Sequence, residues 1–288
     1  MNVKTNIRLG AALASVALLA VAAAAFAQGS QSPAQAPTAD QLKNRPRTLN
    51  NSGDPTLALT GPLRGATEAP AGSAPPNPDP KNFEGVWWLK GYEYLLGPGP
   101  GVQAPLKPKY QRLLEQRIRD KNAGKPEADA STQCFPHGLP RLTESPYPIE
   151  IVQTPKRMTI LHEVAHNVRR FYIGGKHPKN PGHTFLGHSV AHWEGDTLVV
   201  DTVGLNDRTF IDDEGDAHSD QERIVERYRK IDGGKNLEMV ITVIDPVTLE
   251  HPYSYYRIYH WRPDIRRTEY VCEENNRNAP VNGVTVAQ

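Results

Sequence analysis

From residue 149 onward the chain alternates apolar and polar positions with a period of two, the pattern of strands that bury one face. Residues 149–154 form one such run. The turn Thr154-Pro155-Lys156-Arg157 leads to 158–164, where Met158, Ile160, His162 and Val164 share a face. Residues 168–173 follow and stop at Gly174-Gly175. The stretch 188–207 reads as a hairpin turning at Glu194-Gly195-Asp196. In 222–230, Arg223, Val225, Arg227 and Arg229 take one face and Ile224, Glu226 and Tyr228 the other. Solvent takes the arginine face, so Glu226 points inward. Runs at 237–244, 255–261 and 268–273 complete the series, and 83–89 is the opening strand. After Pro108, the residues Tyr110, Leu113, Leu114 and Ile118 fall at helical spacing until Gly124. Eight or nine strands and one early helix predict a mainly β fold. The expected form is an antiparallel meander closing into a barrel, with a β-sandwich as the alternative. Barrels of this size hold one small ligand or are filled by side chains.

The periodic region is not the whole chain of 288 residues. Lys4 and Arg8 precede an uncharged run over 9–26, and Ala25-Phe26-Ala27 is a small-x-small cleavage site. Residues 1–27 are therefore read as a signal peptide rather than an uncleaved anchor, which places the mature chain in the periplasm or outside the cell. Residues 28–80 are rich in Pro, Ala, Gly, Ser and Asn and are read as a disordered linker. The domain is expected at 81–276, with a loose tail at 277–288. A formal net charge of +1, with both signs interspersed, excludes nucleic acid and anionic membrane surfaces as partners. The oligomeric state is left open. In an oxidising compartment Cys134 and Cys272 are expected to pair. Such a bridge closes a loop of well over a hundred residues and contributes roughly 3–5 kcal/mol in the loop-entropy account.

Gly85-x-Trp87 on the opening strand resembles the signature of lipocalin-like barrels, in which the tryptophan plugs one end. A longer likeness runs through Gly187-His188-Ser189-Val190-x-x-Trp193-Glu194-Gly195-Asp196-Thr197-Leu198-Val199-Val200-Asp201-Thr202-Val203-Gly204-x-Asn206-Asp207. It continues in His218-Ser219-Asp220, Val225-Glu226-Arg227 and Glu269-Tyr270-Val271-Cys272-Glu273-Glu274-Asn275-Asn276. These residues resemble a large, mostly uncharacterised family of secreted bacterial proteins, over about residues 140–276. The resemblance implies export and a shared β-rich domain. His192 departs from it, since a residue other than histidine is usual there.

His188, Asp201, Asp207, His218 and Glu226 come from the central hairpin, the polar segment after it and the next strand. Their types suit proton transfer at one mouth of a barrel, and they are the candidate catalytic set. Whether Asp201 shares a face with His188 depends on whether the hairpin turn has two or three residues. Trp193, Tyr228, Tyr255, Tyr259 and Trp261 are the candidate ligand-binding aromatics. His162-Glu163-x-x-His166 matches the zincin pattern, but that pattern works on a helix and this context alternates as strands do. His162 reads instead as a core histidine. No nucleophile elbow, phosphate loop or dinucleotide fingerprint occurs, so no organic cofactor is expected. The leading expectation is an exported barrel that takes an apolar or aromatic small molecule into its interior. It acts on that molecule as a lyase, isomerase or hydrolase by acid–base chemistry. A passive ligand-binding or carrier protein is the alternative. A zinc-dependent hydrolase using His162, Glu163 and His166 is the second.

Overall fold

A computed structural model of the protein describes residues 69–89, 103–125, 129, 131, 134–212, 214–270 and 272, with 280–281 and 284–285 described as backbone. The expected signal peptide and residues 28–68 of the expected linker lie outside the described residues. Nine strands among the described residues close into a lipocalin-like barrel: β1 (Gly85–Leu89), β2 (Ile149–Thr154), β3 (Arg157–His162), β4 (Val168–Ile173), β5 (His188–Glu194), β6 (Thr197–Val203), β7 (Arg223–Ile231), β8 (Asn236–Ile244) and β9 (Tyr253–Trp261). β9 pairs with β8 on one side and with β1 on the other, Trp87 opposite Trp261, and this closes the ring. Pro280–Val281 and Val284–Thr285, β10 and β11, pair with each other inside the expected tail.

The meander is antiparallel at every step but one. β4 and β5 run parallel, with Tyr172 opposite Val190. A parallel neighbour cannot be reached by a tight turn, so residues 174–187 carry the chain back along the barrel. The expected strand at 268–273 is absent from the described residues there, since 265–270 form no ladder. The reason is the closure itself: β9 already has a partner on each edge, and no edge remains for a further strand. Residues 265–270 instead lie outside the barrel, where the Thr268 backbone N–H donates to Glu163 Oε2 and Tyr270 packs on Tyr147.

The helix α1 (Pro108–Asn122) starts with Pro108 in its first turn and buries Leu114. Tyr110 and Ile118 pack beside it, while Leu113 is largely exposed. Arg119 and Lys121 place positive charge in the last turn, where the helix dipole favours it.

Alternation along the strands sends Trp87, Ile151, Ile160, Phe171, Leu198 and Tyr228 into the barrel, all of them buried. At one end Trp87 donates its indole N–H to the Phe83 carbonyl and meets Trp261 edge on. Gly85 has a left-handed φ of 123°, and a Cβ there would overlap the Trp261 ring. The sequence expectation starts the domain at 81, but residues 69–76 already lie on this end. Trp261 donates to the Ala74 carbonyl at 2.8 Å, and Lys230 donates to the Asn77 and Asp79 carbonyls. The Cys134–Cys272 disulfide is formed, with its Cα atoms 5.7 Å apart. Among the described residues no helix is long and apolar enough to cross a membrane.

Candidate active site

The five residues expected to converge are split among three places. Glu226 is inside the barrel. His188 and Asp201 are on its outer face. Asp207 and His218 belong to the connection between β6 and β7.

The interior is filled rather than open. Glu226 is fully buried and takes two hydrogen bonds from Arg169, at 2.8 and 2.6 Å, while the Tyr228 hydroxyl donates to it at 3.0 Å. Arg257 pairs with Glu144 at 2.8 Å, and the Tyr259 hydroxyl donates to the Thr143 carbonyl. Glu144 and Thr143 belong to the 3-10 turn Arg141–Glu144, whose four residues are all buried. Tyr228 and Tyr255 have about 1% of their surface left to solvent. The expected ligand-binding tyrosines Tyr228, Tyr255 and Tyr259 are all buried. Trp193 and Trp261 sit at the end closed by 69–84, where Trp193 meets Phe83 and Trp261 is covered by Ala74.

His162 points into this core, and neither ring nitrogen has a hydrogen-bond partner among the described residues. Burial, then the positive charge of Arg169, then His137, push its pKa down to about 3. His166 is exposed at the end of the turn Val164–His166, with a left-handed φ of 48°. Glu163 accepts from the Thr268 backbone. The three residues therefore occupy a strand end and a turn, without the helical face a zincin needs. Among the described residues no three of His, Cys, Asp and Glu form a group able to hold a metal ion.

The β5–β6 turn has two residues, since Glu194 pairs with Thr197 and Val190 lies opposite Asp201. Asp201 and His188 therefore share the outer face. Asp201 is engaged by Arg223 and by His177.

The third place brings reactive groups together. Residues 204–212 and 214–222 fold over one end of the barrel. His218 Nδ1 lies 2.8 Å from Glu222 Oε2 in an ion-pair contact without hydrogen-bond geometry, and its Nε2 lies 3.0 Å from the Thr209 hydroxyl in a hydrogen bond. Thr209, His218 and Glu222 are 3%, 6% and 1% exposed. Burial works against the imidazolium, but the Glu222 carboxylate outweighs it, Asp245 and Asp207 adding to the effect, and the His218 pKa is raised. The Glu222 pKa is raised as well, by burial against the opposing pull of His218. Asp245 fixes the far side by accepting from the Ser219 N–H and hydroxyl at 2.6 and 2.9 Å. Gly138, with φ of 75°, lies against Thr209, and a side chain there would collide with it. Beside this group Phe135 and Phe185 stack at 5.9 Å, and the Arg208 guanidinium lies over both rings at 4.9 and 5.1 Å. Asp207 and Arg208 are exposed.

His218 was the one expected catalytic residue that this group contains. Thr209 and Glu222 escape a reading by strand period, because they lie in irregular backbone and at its end. The signals available were the i, i+4 spacing of His218 and Glu222, and the position of Glu222 immediately before the alternating run of β7. Arg169 also escaped, although two residues before inward-facing Phe171 it must face inward too.

No family model and no curated protein matches the chain. Among solved structures, the crystal structure of a luciferase domain from the dinoflagellate Lingulodinium polyedrum aligns with 94% of this chain and 71% of that chain. The alignment has 16% identity and a TM-score of 0.33.

Proposed function

We propose that the chain is an exported small-molecule enzyme that works without an organic cofactor, by hydrolysis, at the loop-covered end of its barrel. The close approach of the Glu222 carboxylate, the His218 imidazole and the Thr209 hydroxyl, an ion-pair contact of 2.8 Å and a hydrogen bond of 3.0 Å, carries this reading. Such a grouping lets an imidazole take a hydroxyl proton while a nearby carboxylate steadies the resulting cation. In the proposed reaction the Thr209 oxygen attacks an ester carbonyl and its proton passes to His218 Nε2. His218 returns that proton to the departing alcohol. Water, deprotonated by His218, then releases the acid and restores Thr209. Because Thr209 is buried, the turn at 206–208 must shift to admit the ester. The aromatic shelf of Phe135 and Phe185 favours an aryl or apolar substrate. Export is supported by the disulfide and by the Ala25-Phe26-Ala27 site. The resemblance to secreted bacterial proteins agrees with it.

A passive binding protein is the second reading, favoured by the burial of all three residues, which also suits a network that only anchors the loop. Hydrolysis of p-nitrophenyl butyrate separates the two. The enzyme reading expects turnover that falls by roughly 100-fold or more in His218→Ala and in Thr209→Val, the scale of general-base and nucleophile loss. It fails if wild type is no faster than buffer, or if folded His218→Ala retains wild-type turnover.

A further inference from the structure

The outer face of the barrel carries a second histidine group that the proposed chemistry does not use. His188 opens β5, and His177 lies on the crossover from β4. Their Nδ1 atoms are 3.0 Å apart. The other ring nitrogen of His177, Nε2, is buried and lies 3.4 Å from Asp201 Oδ2, an ion-pair contact without hydrogen-bond geometry. Asp201 is held in turn by Arg223, which donates from Nε and Nη2 at 2.7 and 2.9 Å. Tyr172 stacks on the His188 ring at 5.2 Å with 14° between the planes. Ladder register fixes most of this arrangement, since Tyr172, Val190, Asp201 and Val225 lie in one row across four strands.

We propose that His177 and His188 form a two-imidazole site for a divalent transition-metal ion, with Cu2+ the preferred occupant and solvent completing its coordination. Two nitrogens 3.0 Å apart subtend roughly 90° at an ion about 2.1 Å from each, the length of an imidazole–metal bond, once both rings turn from the line of their shared hydrogen bond toward a common point. That angle suits neighbouring positions of a tetragonal ion better than a tetrahedral one, and imidazole sites of this kind bind Cu2+ most tightly among the first-row ions. Asp201 sits where the outer partner of a metal-bound histidine belongs. With its proton on Nε2, the side nearest that carboxylate, His177 keeps its lone pair on Nδ1. In the free protein the two Nδ1 atoms share one hydrogen, donated by one ring to the other. The ion takes the place of that hydrogen, and the donating ring moves its proton to Nε2, so no net proton is lost when both rings are neutral. The positive charge of Arg223 is balanced by Asp201. Both imidazoles are partly exposed, which leaves the remaining positions open to water.

The test is titration of the tag-free full chain with Cu2+, followed by calorimetry and by electron paramagnetic resonance, which counts ligating nitrogens. The expected result is one ion per chain with two imidazole nitrogens. His177→Ala and His188→Ala should each weaken it by roughly 100-fold and leave one nitrogen. Asp201→Asn should weaken it about tenfold, the lower range for an outer partner. His192, on the same face but paired with Glu194, and His218, in the proposed active site, serve as controls whose alanine variants bind as wild type does. The site is overturned if the His177→Ala/His188→Ala double variant binds as wild type, or if wild-type spectra show fewer than two nitrogens. Because the wild-type spectrum itself counts ligands, that outcome does not depend on any variant folding, and the His218→Ala control keeps it separate from the hydrolase reading.

Discussion

Arg169 and Glu226 face each other inside the barrel as a bidentate pair, with side chains 1% and 0% exposed. Neither charge can reach water, so each depends on the other. Arg169→Met should cost about 3–5 kcal/mol, because it leaves a buried carboxylate without its counter-charge. Replacing both, as Arg169→Met with Glu226→Leu, should recover most of that loss. Urea denaturation of the two single variants and the double variant checks this. A double variant as unstable as the worse single one would show that the pair contributes more than mutual neutralisation.

His162 should make the fold acid-sensitive. Its pKa lies near 3 in the folded chain and near 6.5 in the unfolded one. Between those values the unfolded chain binds a proton that the folded chain excludes. The stabilisation is complete above pH 6.5 and is lost as the pH falls toward 3. Its full size is on the order of a few kcal/mol. Asp212, raised to about 6 chiefly by burial, acts in the opposite sense over part of that window. Comparison with His162→Leu isolates the histidine: denaturation midpoints at pH 7, 5 and 4 should decline less in the variant. Equal declines would assign the acid limb to other groups.

Gly85→Ala should destabilise the closed end by about 2–4 kcal/mol, from a left-handed backbone made to carry a Cβ and from overlap with the Trp261 ring. The same change at Gly124, also left-handed but with open space around it, should cost only the backbone strain. Thermal melts of the two variants compare them directly, and equal losses would remove the Trp261 contact from the account.

Reduction of the Cys134–Cys272 bridge should lower stability by about 2–5 kcal/mol, since 138 residues of sequence separate its ends. The paired Cys134→Ser, Cys272→Ser variant should match the reduced wild type and show no further response to reductant. A residual response would indicate a disulfide outside the native pair.

Most of the barrel was legible because a period of two is a direct record of which face is buried. Strands β2 and β4 match their predicted bounds, and the inward positions of Glu226, Tyr228 and His162 follow from the same alternation. Periodicity says nothing about direction, so the parallel step from β4 to β5 was not visible. Nor does it show which strand is last: 268–273 alternates well enough, but the ring had already closed. The candidate site was harder still. Thr209, His218 and Glu222 meet because an irregular connection folds back on itself, fixed by Asp245 and by the close approach of Gly138. None of those contacts leaves a repeat in the sequence.

The pairing of β1 with β9 has a consequence for how the chain is made. The ring joins strands 164 positions apart at Leu89 and Tyr253 and cannot close until the last of them is available. Until then β1 and β8 are unprotected edges, each offering a row of unpaired backbone groups to other chains. During synthesis this is the interval of greatest aggregation hazard, and a chain cut short before Tyr253 would never leave it.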